Sequence, residues 1–236
     1  MIPFIDIHTH FKNNNADAIS VLNITQQGQF IENIPEGIVT ASGTRQEGRY
    51  FSAGLHPWFL NKNNFETDFE KLTQLIDNQS VIFLGECGLD RLKGEDLAFQ
   101  TQVFEAQIRL AESVSKPIVI HCVKAFNEII AMKKRLKPYV PLIIHGFNKN
   151  KILLNDLIKN DFYISIGTGL FKKKSNTAQA LHIIPHNRLF FETDDIDISI
   201  KAVYEKAAEV LNMDLKDLKK IIFDNFNRIL TADSPS

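Results

Sequence analysis

Histidines and carboxylates close one apolar run after another in this chain, and that recurrence limits the folds open to it more than any other feature. It begins at Ile5-Asp6-Ile7-His8-Thr9-His10. In an extended strand residues two apart point the same way, so Asp6, His8 and His10 share one face while Ile5 and Ile7 alternate with them as in a half-buried strand. Two imidazoles side by side are a metal-binding geometry. Taken alone, the stretch reads equally as a polar chain start, and the ligands that arrive further along decide between the two readings.

The apolar runs are Phe4–Ile7, Ser20–Ile24, Phe51–Leu55, Val81–Leu84, Pro117–Ile120, Pro141–Ile144, Phe162–Ile166 and Arg188–Phe191, with Gly37–Ala41 a further candidate. They are short and rich in Ile, Val and Phe, as buried parallel strands are. Between them apolar residues recur at helical spacing in Phe69–Ile76, Ala98–Val114, Ala125–Leu136, Ile152–Ile158 and Ser175–Leu181. In Ala98–Val114 the expected buried stripe is Phe99, Val103, Ala106 and Leu110. Ile200–Leu211 and Leu215–Leu230 follow the last strand, the second with Asp214 as its N-cap.

Strand and helix alternating this often predict an α/β fold, and a TIM barrel fits better than an open doubly wound sheet. The open sheet carries a phosphate loop after its first strand, whereas this one ends in histidines. The interval from Phe11 to Tyr50 is polar, rich in Asn and Gln and too short for two full strand-helix units, so the barrel is expected to be reduced near its second strand-helix unit. With 236 residues and no repeat, low-complexity tract or linker, one domain spanning 1–236 is expected.

Composition excludes some functions. A formal net charge of −1 argues against a globally basic nucleic-acid binder. No apolar run reaches the length of a membrane span, and Met1–Phe4 leads into the first strand without a basic segment and a cleavable apolar one, so a cytoplasmic protein with no membrane partner is expected. Nothing indicates an obligate protein partner. The two cysteines, Cys87 and Cys122, each follow a candidate ligand by one residue; alternation turns them away from the site, as buried inert thiols. The absence of a Gly-x-Ser-x-Gly elbow leaves no sign of a serine nucleophile.

At the C-terminal ends of the runs stand His8, His10, His56, Glu86, His121, His145 and Asp194, five of the seven histidines among them. In a parallel barrel those ends converge on one face, where barrel enzymes build their sites. A single strand-end histidine is more often a satisfied core residue. So many imidazoles and carboxylates packed together are costly without a cation to bind them. These ligands suit zinc, and manganese or magnesium where water completes the shell. Four histidines and two carboxylates exceed one tetrahedral ion's needs, so the expected cofactor is a pair of divalent ions sharing a carboxylate.

Asp6-Ile7-His8-Thr9-His10, Gly54-Leu55-His56-Pro57, Gly85-Glu86-Cys87-Gly88-Leu89-Asp90, Lys116 to His121, Ile144-His145-Gly146-Phe147 and Glu192-Thr193-Asp194 occur in an order and spacing that resembles the TatD family of metal-dependent hydrolases. The resemblance runs from Asp6 to Asn225–Leu230, and Gly85–Asp90 is its most specific piece. It implies a TIM barrel with two divalent ions, one held by His8, His10 and Asp194, the other by His121 and His145, with Glu86 bridging them. It also implies a water activated between the metals as nucleophile, with Asp194 able to accept its proton, and a phosphoester substrate, the ends of single-stranded DNA included.

The departures from the family's pattern concern the substrate. Val123 stands where the family usually has a phosphate-gripping arginine, Asn148 follows Phe147 in place of Ser-Gly, and Asp195-Ile196-Asp197-Ile198 replaces the usual loop after Asp194. Lys124, His56 and the Lys172–Lys174 group are the residues left to receive a phosphate. Lys133-Lys134-Arg135 reads as the solvent face of a helix, and His182 and His186 as surface residues.

Overall fold

The structure, a computed structural model, describes residues 2–11, 17–26, 29–30, 50–172 and 175–231. Eight parallel strands follow one another round the sheet in chain order: β1 Phe4–Thr9, β2 Ala18–Asn23, β3 Tyr50–Ala53, β4 Val81–Asp90, β5 Ile118–Val123, β6 Leu142–Ile144, β7 Tyr163–Ile166 and β8 Leu189–Phe191. A parallel bridge between Thr9 and Asp194 brings β8 back to β1, giving the TIM barrel that the alternation predicts. The helices are α1 Phe65–Ile76, α2 Leu97–Ser113, α3 Phe126–Leu136, α4 Lys151–Lys159, α5 Asn176–Leu181, α6 Ile200–Leu211 and α7 Leu215–Leu230.

Among the described residues no α-helix lies between β1 and β3; much of the interval expected to be reduced lies outside them, and a hairpin of two short strands, Thr25–Gln26 with Gln29–Phe30, follows β2. The candidate strand Gly37–Ala41 lies outside the described residues. No helix among the described residues is long and apolar enough to cross a membrane.

The seam between β1 and β8 is closed largely by side chains. Phe4 N–H turns toward β2, where it meets Asp17 O, so the Ile5 amide faces the other way. There the buried Tyr204 hydroxyl of α6 donates to Ile5 O at 3.0 Å and accepts from Ile5 N at 3.0 Å, doing for that residue what a strand ladder does elsewhere. One step on, the Asp6 carboxylate accepts from Thr193 N and Thr193 Oγ1 at 3.1 and 2.8 Å. At the top the backbones meet: Asp194 N donates to His8 O and His10 N to Asp194 O, at 3.0 and 2.9 Å. On the face opposite the histidines, Phe226 of α7 reaches the rings of Tyr50 and Phe83 and helps to fill the barrel floor. Asp214 caps α7 as expected, accepting from Lys216 N.

Two elements differ from the sequence reading. The strand expected at Val81–Leu84 continues to Asp90, so Glu86 lies inside β4 and not beyond its end. Glycine permits this, since a Cβ on Gly88 would stand 2.1 Å from His121 O and β5 could not lie so close. On α2 the buried face is Gln100, Val103, Phe104, Gln107, Ile108 and Ala111, rotated from the expected stripe. The rotation brings two glutamines, two turns apart, onto strand-end backbone. Gln107 Oε1 accepts from Leu55 N and its Nε2 donates to Leu55 O; Gln100 Oε1 accepts from Asp90 N and its Nε2 donates to Asp90 O. Lys133 also departs from the solvent-face reading: its ammonium donates to Asp161 O and lies over the Phe162 ring, and burial lowers its pKa to about 8.

Candidate metal centre

The strand-end residues converge on Glu86. Its two carboxylate oxygens face different partners. Oε2 looks toward β1, with His8 Nε2 at 3.4 Å and His10 Nε2 at 3.5 Å, and these imidazoles lie 3.5 and 3.7 Å from Asp194 Oδ1. Oε1 looks the other way, with His121 Nδ1 at 2.8 Å, His145 Nε2 at 2.9 Å and His56 Nε2 at 3.1 Å. Asn23, held by Thr25 N–H donating to its Oδ1, turns its amide nitrogen to Oε2 at 3.5 Å.

The spacing on the Oε2 side is that of a coordination shell more than of a hydrogen-bond network. Ligand atoms about 2.1 Å from one tetrahedral cation stand about 3.4 Å from one another. Both ring nitrogens of His8 are buried without a hydrogen-bond partner among the described residues, an arrangement that leaves a lone pair aimed between two carboxylates. The donor set of imidazoles and carboxylates fits a divalent cation, and groups of three such ligand atoms lie within 4.8 Å of one another in His8–His10–Glu86, His8–His145–Asp194 and His56–Glu86–His121.

The electrostatics point the same way. Burial would lower His8, but the Asp194 and Glu86 carboxylates outweigh it and raise its pKa to about 9. Burial likewise opposes charge on His145, yet Glu86 and Glu192 hold its pKa well above the ordinary histidine value. Glu86 is pulled well below the usual carboxylate range: desolvation favours its neutral form, and His145, His10 and His121 prevail against it. Asp194 is brought to about 2 against its own burial, by His8 and His145. The site thus concentrates negative charge that protonated imidazoles neutralise, the role a divalent cation would take over on binding.

Two carboxylates not singled out from the sequence as functional stand behind the imidazoles. Asp90 Oδ2 lies 3.3 Å from His121 Nε2 and accepts from the Trp58 indole N–H at 2.5 Å. Glu192 Oε1 accepts from Gly146 N at 2.6 Å and lies 3.5 Å from His145 Nδ1. A carboxylate behind a ligating histidine fixes which nitrogen keeps its proton. Asp90 stood inside the Gly85–Asp90 motif and Glu192 two residues before Asp194, so their position was the available signal. Gln100 and Gln107 gave a fainter one, as polar residues two turns apart on an amphipathic helix.

Of the expected site residues, the structure brings together His8, His10, Glu86, His121, His145 and Asp194. His56, expected to face substrate, is buried and directed at Glu86. Lys124 is exposed at the end of β5 with a left-handed backbone, and no hydrogen bond among the described residues joins it to the cluster. Lys172 is exposed after β7, and Lys173 and Lys174 lie outside the described residues. His182 and His186 are exposed, as expected. Cys87 is fully buried with Sγ 3.8 Å from Val119 O, and Cys122 is half-buried; burial raises both thiols, Cys122 to about 12.

Comparison with known proteins adds to this geometry. A family model described as TatD related DNase matches residues 5–231. The uncharacterized metal-dependent hydrolase YcfH of Escherichia coli (strain K12) is 27% identical over 200 residues, which is 78% of this chain and 74% of that protein. The 3'-5' ssDNA/RNA exonuclease TatD of Erwinia tasmaniensis is 30% identical over 151 residues, 61% of this chain and 56% of that protein. Among solved structures, YJJV, a TatD homologue from Escherichia coli K12, aligns with a TM-score of 0.76 at 20% identity, over 97% of this chain and 98% of that one. A hydrolase TatD family protein from Entamoeba histolytica gives 0.74 at 14% identity, over 98% and 99%.

Proposed function

The chain belongs to the family of TatD-related DNases, and from that premise we propose that it hydrolyses phosphoester bonds with two divalent cations shared through Glu86. The observation that carries the reading is the division of the Glu86 carboxylate, one oxygen toward His8, His10 and Asp194 and the other toward His121 and His145. Cations bound there would lower the pKa of a water toward neutrality and polarise a phosphoryl oxygen. Zinc, manganese and magnesium all accept this ligand set.

The protein's own residues do the remaining work. Glu86 keeps the two imidazole groups at a fixed separation, and Asp90 and Glu192 hold His121 and His145 in orientation. Asp194 turns Oδ1 to His8 and His10, which leaves Oδ2 to accept a proton from the attacking water. Phosphate contact falls to Lys124, exposed where β5 ends.

The single-stranded ends on which two relatives are named as exonucleases are the nucleic-acid form this site would take. Asp195 and Asp197, exposed directly after Asp194, favour a second reading in which smaller or less charged esters are preferred, because two carboxylates beside the mouth repel a polyanion. Metal-loaded protein is expected to cleave bis(p-nitrophenyl) phosphate readily and single-stranded DNA weakly from an end. Robust degradation of long duplex DNA at moderate salt would overturn the small-ester preference. No hydrolysis of any phosphoester, with amides or lactones turned over instead, would overturn the phosphoester reading itself.

A further inference from the structure

His56 belongs by distance to a group that would hold a cation, yet its hydrogen bonds argue for a different role. The residue caps the 3₁₀ turn Pro57–Phe59, and Trp58 backbone N–H donates to His56 Nδ1 at 3.1 Å. That bond uses the Nδ1 lone pair. A neutral imidazole carries one proton, which must then sit on Nε2, 3.1 Å from Glu86 Oε1. The residue is 7% exposed, and a ring that accepts at Nδ1 has no proton there, so it is the neutral form that this hydrogen bond holds. A neutral ring that accepts at Nδ1 and donates from Nε2 has no lone pair left for a cation.

The other two imidazoles at Glu86 Oε1 are built the opposite way. His121 has Asp90 behind Nε2, and His145 has Glu192 behind Nδ1, so each is backed by a carboxylate at the nitrogen remote from Glu86. A proton held there leaves a lone pair on His121 Nδ1 and His145 Nε2, both aimed at a carboxylate oxygen, which is tolerable only with a cation between them. One Oε1 lone pair would then serve that cation and the other would take the His56 proton.

We infer that His56 is a positioning residue which, through Nε2–H, holds Glu86 Oε1 for the cation shared with His121 and His145, and is not itself a ligand. This rests on the metal reading above. Backbone donation from Trp58 fixes the tautomer, and the Gln107 side chain anchors Leu55 immediately before it, so the donor is held from both sides.

Zinc titration followed through the imidazole nitrogen resonances of ¹⁵N-histidine-labelled protein tests both layers separately. The expected result is that His121 and His145 resonances move on adding Zn²⁺, while His56 keeps a protonated Nε2 and an acceptor Nδ1 throughout. A His56 ring that loses its Nε2 proton as zinc binds is a ligand, and overturns the inference. If no histidine resonance responds to Zn²⁺, the metal reading has failed, whatever tautomer His56 shows. Variants give a second measurement: His56→Gln, whose amide can donate where Nε2 stands, should keep Zn²⁺ affinity within about threefold, and His56→Leu should lose about 10–100-fold. Equal losses in both variants, or none in either, would also overturn it.

Discussion

The two sides of Glu86 are built differently. On the Oε2 side His8 is fully buried but the His10 and Asp194 side chains are 30% and 34% exposed, whereas on the Oε1 side none of His56, His121 and His145, at 8%, 11% and 9%, exceeds about a tenth. The buried side has a group behind each imidazole: Trp58 N–H donates to His56, Asp90 stands 3.3 Å from His121 and Glu192 stands 3.5 Å from His145. His8 on the open side has no hydrogen bond at either ring nitrogen among the described residues, where His145 lacks one at Nδ1, and its strand is joined to β8 by side chains and a single bridge. Burial is thus greater on the Oε1 side, while solvent reaches His10 and Asp194 on the other. In the proposed arrangement the Oε1 ion is held by a rigid, dry pocket, and the Oε2 ion is the one that exchanges and meets substrate.

The largest effect is expected where the two halves meet. Glu86→Gln removes the negative charge that both share, so purified variant protein should carry well under one divalent ion per chain by elemental analysis, with its circular dichroism spectrum retained. Two ions still bound to the variant would end the bridging proposal and with it the division into halves. His145→Ala and His10→Ala separate the halves: each should lose one ion, and stepwise chelation of the wild type should remove the His10 ion first. Release of both ions in a single step would contradict the asymmetry.

Smaller changes come from removing what stands behind the ligands. Asp90→Asn and Glu192→Gln should each weaken one ion by about 10–100-fold and leave the other within error, measured by competition with a chromophoric chelator. An equal weakening of both ions would mean that the two halves are not independently supported.

These supporting groups also mark how far the chain could be read without its structure. Five of the seven histidines declared themselves because each closes an apolar run, and parallel strands carry their ends to one face. The same logic gave the barrel. The extension of β4 through Glu86 was not legible, because glycine-mediated approach of two backbones leaves no periodicity. Nor was the face of α2, since Gln100 and Gln107 look like surface residues until Leu55 and Asp90 are known to need partners. Tyr204 was hidden for a similar reason. Its bond to Ile5 spans 199 residues and satisfies a backbone gap that exists only where the barrel closes.

Those two scaffolds allow the comparison to be tested on stability. Tyr204→Phe strips the partner from both polar groups of Ile5 beneath the open half, and Gln107→Leu does the same to Leu55 beneath the buried half. Each should cost about 1–3 kcal/mol in denaturant unfolding of metal-free protein. Only Gln107→Leu should also shift the His56 resonances, because Leu55 adjoins His56 in the chain; a shift of equal size from Tyr204→Phe would show that the halves are coupled through the barrel wall.

The smallest effect belongs to the cysteines. β4 carries an irregularity against β5, in which Leu84 pairs with Ile118 and Cys87 with Ile120, so three residues of one strand span two of the other. Simple alternation therefore fails at Glu86, and the orientation of Cys87 has to be read from its contacts. Its thiol lies on Val119 O, fully buried, and desolvation keeps it protonated. Cys87→Ala should leave metal content unchanged and lower stability by on the order of 1 kcal/mol, the cost of a small cavity between strands. Cys122→Ala, at a half-buried position, should cost less. Since Cys87 adjoins Glu86, a loss of metal in Cys87→Ala would mean that the irregularity turns the thiol toward the ligands, and the division of Glu86 between two halves would have to be redrawn around it.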